Sequence, residues 1–153
     1  MIRRDWRIGI CILMLVLNLG FIWGNSLLPA EVSQSVSDWV ADIIPELPTQ
    51  NIPQEKESGI LRKIAHFTEF ASLGLLLAWL AVLLGKPRRY LFFAGILSAF
   101  ADEIIQMFVP GRGPAVLDVL IDTSGLLTGM LLLKIGYLLF TVYQSKQHGG
   151  KQT

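Results

Sequence analysis

Four apolar runs, at residues 8–23, 64–84, 90–109 and 116–137, constrain this chain more than any other feature of it. A helix crosses the hydrocarbon of a bilayer in about 20 mostly apolar residues, and these runs are of that order. Composition agrees, since 52% of the 153 residues are hydrophobic and only 16% are charged, against about 25% charged in an ordinary soluble domain. The chain therefore reads as an all-α, polytopic membrane protein with one domain over 1–153. The links "GKPRR" and "PGRGP" are so short that the runs they join must be antiparallel neighbours, which predicts a four-span, up-and-down helical bundle.

The first run follows the basic stretch MIRRDWR, as a signal peptide's apolar segment would. No small-residue cleavage pattern comes after it, so it reads as a retained anchor. Basic residues then set the orientation. Arg3, Arg4 and Arg7, then Lys86, Arg88 and Arg89, then Lys146 and Lys151 occupy one side, with Lys56, Arg62, Lys63 and Arg112 on the other. The positive-inside rule puts the larger group, and with it both termini, in the cytoplasm. Lys134, late in the fourth run, can snorkel to the inner headgroups. Cys11 has no partner for a disulfide and reads as a small packing residue. The net charge is +1 without a basic patch, so nothing points to nucleic acid.

Between the first two runs, "EVSQSVSDWVADIIPEL" spaces Val32, Val36, Trp39, Val40, Ile43, Ile44 and Leu47 at helical intervals. This predicts a short amphipathic helix over 32–47 lying on the outer membrane surface, with Trp39 at headgroup level. Pro45, Pro48 and Pro53 stop any helix, and "TQNIPQEKESG" reads as a solvated linker. In the fourth run Gly125 and Gly129 make a G-x-x-x-G, which permits close helix approach.

The stretch "SAFADEIIQMFVPGRGPAVLDVLIDTSG" then sets a problem, because it joins two apolar runs yet holds Asp102, Glu103, Gln106, Arg112, Asp118 and Asp122. Depth along the helices resolves it. At 1.5 Å per residue, His66 and Glu69 lie roughly 3 and 7.5 Å inside the outer end of the second run, and Gln106 and Glu103 roughly 4.5 and 9 Å inside that of the third. Asp118 and Asp122 lie roughly 3 and 9 Å below the start of the fourth. Each pair is spaced i,i+3 or i,i+4, so both members share one helix face. Carboxylates facing lipid would cost several kcal/mol each, and the reading is that they converge inside the bundle on a polar pocket open to the outside. The alternative is a salt-bridged plug that only fixes helix register. Lys63 and Arg112 stand at the rim, and a guanidinium on a Pro-Gly turn suits bidentate contact with carboxylate or phosphate.

These residues point to an amphiphilic or anionic ligand held by Lys63, His66, Glu69, Glu103, Gln106, Arg112, Asp118 and Asp122. Were the site catalytic, Glu69 or Glu103 would act as general base and His66 as proton donor. A histidine with several carboxylates can also hold a divalent cation, but no H-E-x-x-H or G-x-S-x-G pattern is present, and the sequence assigns no metal ligand and no cofactor.

At these residues the chain resembles the VanZ-like family of bacterial membrane proteins. "RKIAHFTEFASLGLLL" and "DEIIQMFVPGRGPAVLDVLIDTSGLLTG" match the family's K-x-x-H-F-x-E-F-x-x-L-G, E-x-x-Q-x-F-x-P-G-R and D-x-x-x-N-x-x-G-x-x-x-G patterns. The matching positions include Lys63, His66, Glu69, Gly74, Glu103, Gln106, Pro110, Gly111, Arg112, Asp118, Gly125 and Gly129. "FIWGNSLLP" resembles the end of the family's first span, with Ser26 and Pro29 in place. Where the family pattern carries Asn, this chain has Asp122. The resemblance implies a small protein of the bacterial cytoplasmic membrane, related to one linked with resistance to the glycopeptide teicoplanin. Its expected partners are membrane lipids and a lipid-linked cell-wall precursor or glycopeptide. A membrane enzyme acting on an envelope lipid is the other reading.

Overall fold

The computed structural model describes residues 2–43 and 54–149. Five α-helices follow one another: α1 Ile2–Ser26, α2 Ala30–Ile43, α3 Gln54–Leu84, α4 Arg88–Gln106 and α5 Val116–Gly149, with no strand among the described residues. The long helix α3 packs against each of the other four, and α4 also lies against α1 and α5. The chain is a helical membrane protein. Its solvation is inverted relative to a water-soluble domain, with Leu17 and Phe21 of α1, Leu97 of α4 and Leu139 of α5 exposed while Asp102 and Asp122 are 0% exposed.

Three stretches are long and apolar enough to cross a membrane: Trp6–Ser26, Gly59–Leu84 and Val116–Gln147. The sequence led to four. The difference is α4, whose 19 residues carry Arg88 and Arg89 at one end and Asp102 and Glu103 near the other. These charges dilute its apolar character below that of the other three helices.

Several boundaries also differ from expectation. α3 begins at Gln54, not near Ile64, so the second half of the expected linker is helical. Gln, Glu and Lys are good helix formers, and acidic Glu55 and Glu57 suit the positive end of the helix dipole just after Pro53. α5 continues past the expected end at 137 to Gly149, because nothing from Leu138 to Gln147 breaks it. α1 likewise starts at Ile2 rather than near Ile8. α4 stops at Gln106, three residues short of the expected 109, in the turn that leads into Pro110. α2 begins two residues before the expected 32, while 44–47 of that expectation and 49–53 of the linker lie outside the described residues.

Two glycines set the turns that bring α3, α4 and α5 together. Gly85, at φ 64°, ends α3 in a Schellman motif: Lys86 N–H bonds to Ala81 O at 3.0 Å and Gly85 N–H to Val82 O at 3.3 Å. Pro87 then starts α4. In Val109-Pro110-Gly111-Arg112, Gly111 at φ 75° and the Arg112 N–H to Val109 O bond of 3.1 Å fit a type II turn. That turn fixes where Arg112 leaves the bundle, and Ala30 N–H reaches Pro110 O at 3.4 Å, docking the start of α2 on it.

The G-x-x-x-G serves packing within the chain. A Cβ on Gly129 would collide with the carbonyl of Ala71, one on Gly125 with that of Phe67, and one on Gly74 with that of Leu126. The α3 and α5 backbones are therefore in direct contact along a seam that only glycine allows.

Candidate functional site

The seam ends in a polar cluster, to which four helices contribute. From α1 come Asn25 and Ser26, from α3 His66 and Glu69, from α4 Asp102, Glu103 and Gln106, and from α5 Asp118 and Asp122. Except for Asn25, which is half-buried, all of these side chains are buried. The grouping follows from the helices' own geometry: the polar residues of α1, α4 and α5 sit at the ends nearest the α4–α5 turn, and His66 and Glu69, near the middle of α3, share one face of that helix.

Asp102 is the hub. Ser26 Oγ donates to its Oδ1 at 2.6 Å and Gln106 Nε2 to its Oδ2 at 2.8 Å. Gln106 Nε2 also reaches Ser26 Oγ at 3.5 Å. Nδ1 of His66 stands 3.7 Å from Asp102 Oδ2 and 3.2 Å from Asp122 Oδ1. The shorter approach is an ion pair only when His66 is protonated, and Nδ1 and both Asp122 oxygens are buried without a hydrogen bond of good geometry. Beside this triad, Asn25 Nδ2 donates to Glu69 Oε1 at 2.8 Å. Glu103 Oε2 accepts the Ala115 N–H at 2.7 Å, tying the end of α4 to the first turn of α5. Its other oxygen, Oε1, is buried without a partner.

Above the cluster stand the cations. Arg62 approaches Asp118 Oδ2 at 3.7 Å. Arg112 is half-buried and has no carboxylate within ion-pair distance among the described residues. Burial, and next the like charge of Arg62, push its guanidinium below its ordinary pKa, while Asp102, Glu69 and Asp118 pull the other way. The Nε atoms of Arg62 and Arg112 are both buried without a hydrogen-bond partner. Two guanidiniums thus share one partly desolvated rim, with more donor capacity than the described protein atoms use.

The structure places His66, Glu69, Glu103, Gln106, Asp118 and Asp122 together, with Arg112 above them. Lys63 lies half-buried next to Arg62 but outside the network of hydrogen bonds and ion pairs among the described residues. Sequence reasoning left out Asp102, Asn25 and Arg62 as site members and gave Ser26 no role. Signals for them exist: Asp102 is four residues before Gln106, and Asn25 and Ser26 close the first apolar run at the same depth as the other polar groups.

Against known proteins, a family model described as VanZ/LLP1 matches residues 10–141, which take in α2, α3 and α4 whole and most of α1 and α5. No curated protein and no solved structure matches.

Proposed function

We propose a function from one premise: the chain belongs to the VanZ/LLP1 family. On that premise, the paired guanidiniums of Arg62 and Arg112, with Lys63 beside them, bind the anionic part of an amphiphile at the outer face of the bacterial cytoplasmic membrane. That amphiphile is a lipid-linked envelope molecule or a lipoglycopeptide of the teicoplanin type, which the protein binds or excludes. The observation that carries the reading is the half-buried Arg62 and Arg112 pair with unpartnered Nε atoms. A phosphate or carboxylate would accept from both and offset their mutual repulsion.

In this reading α4 also spans the bilayer. Its exposed Tyr90, Phe93, Leu97, Phe100 and Ile104 recur at intervals of three and four residues, while Gly95, Ser98, Ala99, Asp102, Glu103 and Gln106 are buried. Its charges near the C-terminal end are thus turned away from lipid, and 19 residues rise about 28 Å, close to the hydrocarbon thickness. Lys134 of α5 lines the same cleft as Arg88 and Arg89, which gathers basic charge at the end opposite the cluster and supports a cytoplasmic placement for that end and for both termini. On α2 the exposed Val32, Val36, Trp39 and Ile43 form an apolar stripe suited to the outer membrane surface.

The test is growth inhibition by teicoplanin in cells expressing the wild type or Arg112→Ala at matched membrane levels. Protection that Arg112→Ala abolishes is expected; protection unchanged by the substitution, or none from the wild type, counts against the reading. The enzymatic alternative draws on the Asp122–His66 approach, in which a carboxylate holds an imidazole for proton transfer, with Glu69 or Glu103 as base. It predicts an altered lipid pool, and lipid extracts with identical mass spectra from expressing and non-expressing cells would reject it.

A further inference from the structure

We propose that His66, Asp102 and Asp122 form a binding site for a divalent first-row metal ion. The three side chains come from α3, α4 and α5, and each offers one ligand atom such that the atoms lie within 4.8 Å of one another. Ligand atoms held about 2.0–2.2 Å from a common metal, in tetrahedral or octahedral arrangement, are about 2.8–3.6 Å apart. The two approaches to His66 Nδ1 are close to that geometry, 3.2 Å from Asp122 inside the range and 3.7 Å from Asp102 just beyond it, and metal binding would draw the two carboxylates, now within 4.8 Å, closer together.

The independent observation is the state of the ligand atoms. Asp122 is 0% exposed, and neither of its oxygens has a hydrogen bond, nor does His66 Nδ1 facing it. Asp122 and the facing imidazole nitrogen thus stand without hydrogen bonds beside a second buried carboxylate, Asp102, and a divalent cation supplies the charge and contacts that the protein does not give Asp122. The surroundings support the same role. Ser26 and Gln106 each donate to an oxygen of Asp102, as groups that orient a metal-binding carboxylate do. One nitrogen and two oxygen donors suit Mn²⁺, Fe²⁺ or Zn²⁺; Ca²⁺ prefers six to eight oxygens. Three protein ligands also leave coordination positions open. The inference goes beyond the anion reading and does not rest on it.

The experiment uses the full chain purified in detergent, stripped with a chelator, reloaded with Zn²⁺ or Mn²⁺, freed of unbound ion and assayed for metal by mass spectrometry. The wild type is expected to retain close to one ion per chain. Asp122→Asn, nearly isosteric, should weaken retention at least tenfold, Ser26→Ala about 10–100-fold, and Glu31→Gln, exposed on α2, not at all. X-ray absorption of the loaded wild type should show nitrogen and oxygen ligands without sulfur. Should Asp122→Asn fail to fold, the wild type alone decides: no retained ion, or sulfur in the coordination shell from Cys11, overturns the site. Equal retention by the wild type and a folded Asp122→Asn would mark the metal as adventitious and overturn it equally.

Discussion

Along the contact between α3 and α5, two regions are held together by opposite means. In the glycine stretch, Gly74, Gly125 and Gly129 let backbone meet backbone, and steric fit alone accounts for the packing. At the polar end, His66 of α3 stands beside Asp102 of α4 and Asp122 of α5, Gln106 bonds Asp102 and Glu103 accepts from Ala115, and several buried atoms are left without partners. The glycine seam is complete as it stands, whereas the polar cluster carries more polar capacity than its own stability needs. That asymmetry motivates the proposed site, because buried groups without partners are costly unless something else supplies them.

Substitutions can break or sharpen this contrast, and the seam should be the more brittle. Gly129→Leu drives a side chain into the Ala71 backbone, and a loss of more than about 4 kcal/mol is expected, read as aggregation or early thermal unfolding in detergent. Gly20→Leu, into open space on α1, should change stability by less than about 0.5 kcal/mol in the same assay. In the cluster, Asp102→Ala strips the Ser26 hydroxyl, the Gln106 amide and His66 of their shared partner, and about 3–5 kcal/mol should be lost on thermal unfolding. Glu103→Ala frees one N–H at the start of α5, a loss of about 1–3 kcal/mol that should appear as faster amide exchange at Ala115. Arg62→Ala breaks a 3.7 Å pair whose arginine is 37% exposed, so stability should fall by less than about 1 kcal/mol while anionic-ligand binding weakens clearly. Were Arg62→Ala as destabilising as Asp102→Ala, the rim would be structural.

The two regions were legible in the sequence to different degrees. Apolar run length gave the long helices, and the spacing of Gly125 and Gly129 signalled close approach, but only the position of Ala71 identifies the partner as α3 of the same chain. Depth and face placed His66, Glu69, Glu103, Gln106 and Asp122 together because one-dimensional spacing maps directly onto a straight helix. Asp102, four residues before Gln106, shares its face by the same arithmetic, but spacing alone does not single it out as the carboxylate of α4 that stands opposite His66. The cluster is also more closed than an open pocket would be, with His66 5% exposed. Hydropathy could not reveal that Asp102 and Glu103 are shielded from lipid, since an average over α4 discards the face on which each charge lies.

The central claim is that the cluster and its arginine rim face the outside of the cell, and thiol labelling in intact cells tests it most directly. On a Cys11→Ser background, Arg112→Cys and Arg88→Cys variants would be treated with a membrane-impermeant maleimide before and after permeabilisation. Labelling of the first in intact cells, and of the second only after permeabilisation, is the predicted result. The reverse pattern would turn the site toward the cytoplasm and contradict an extracytoplasmic ligand.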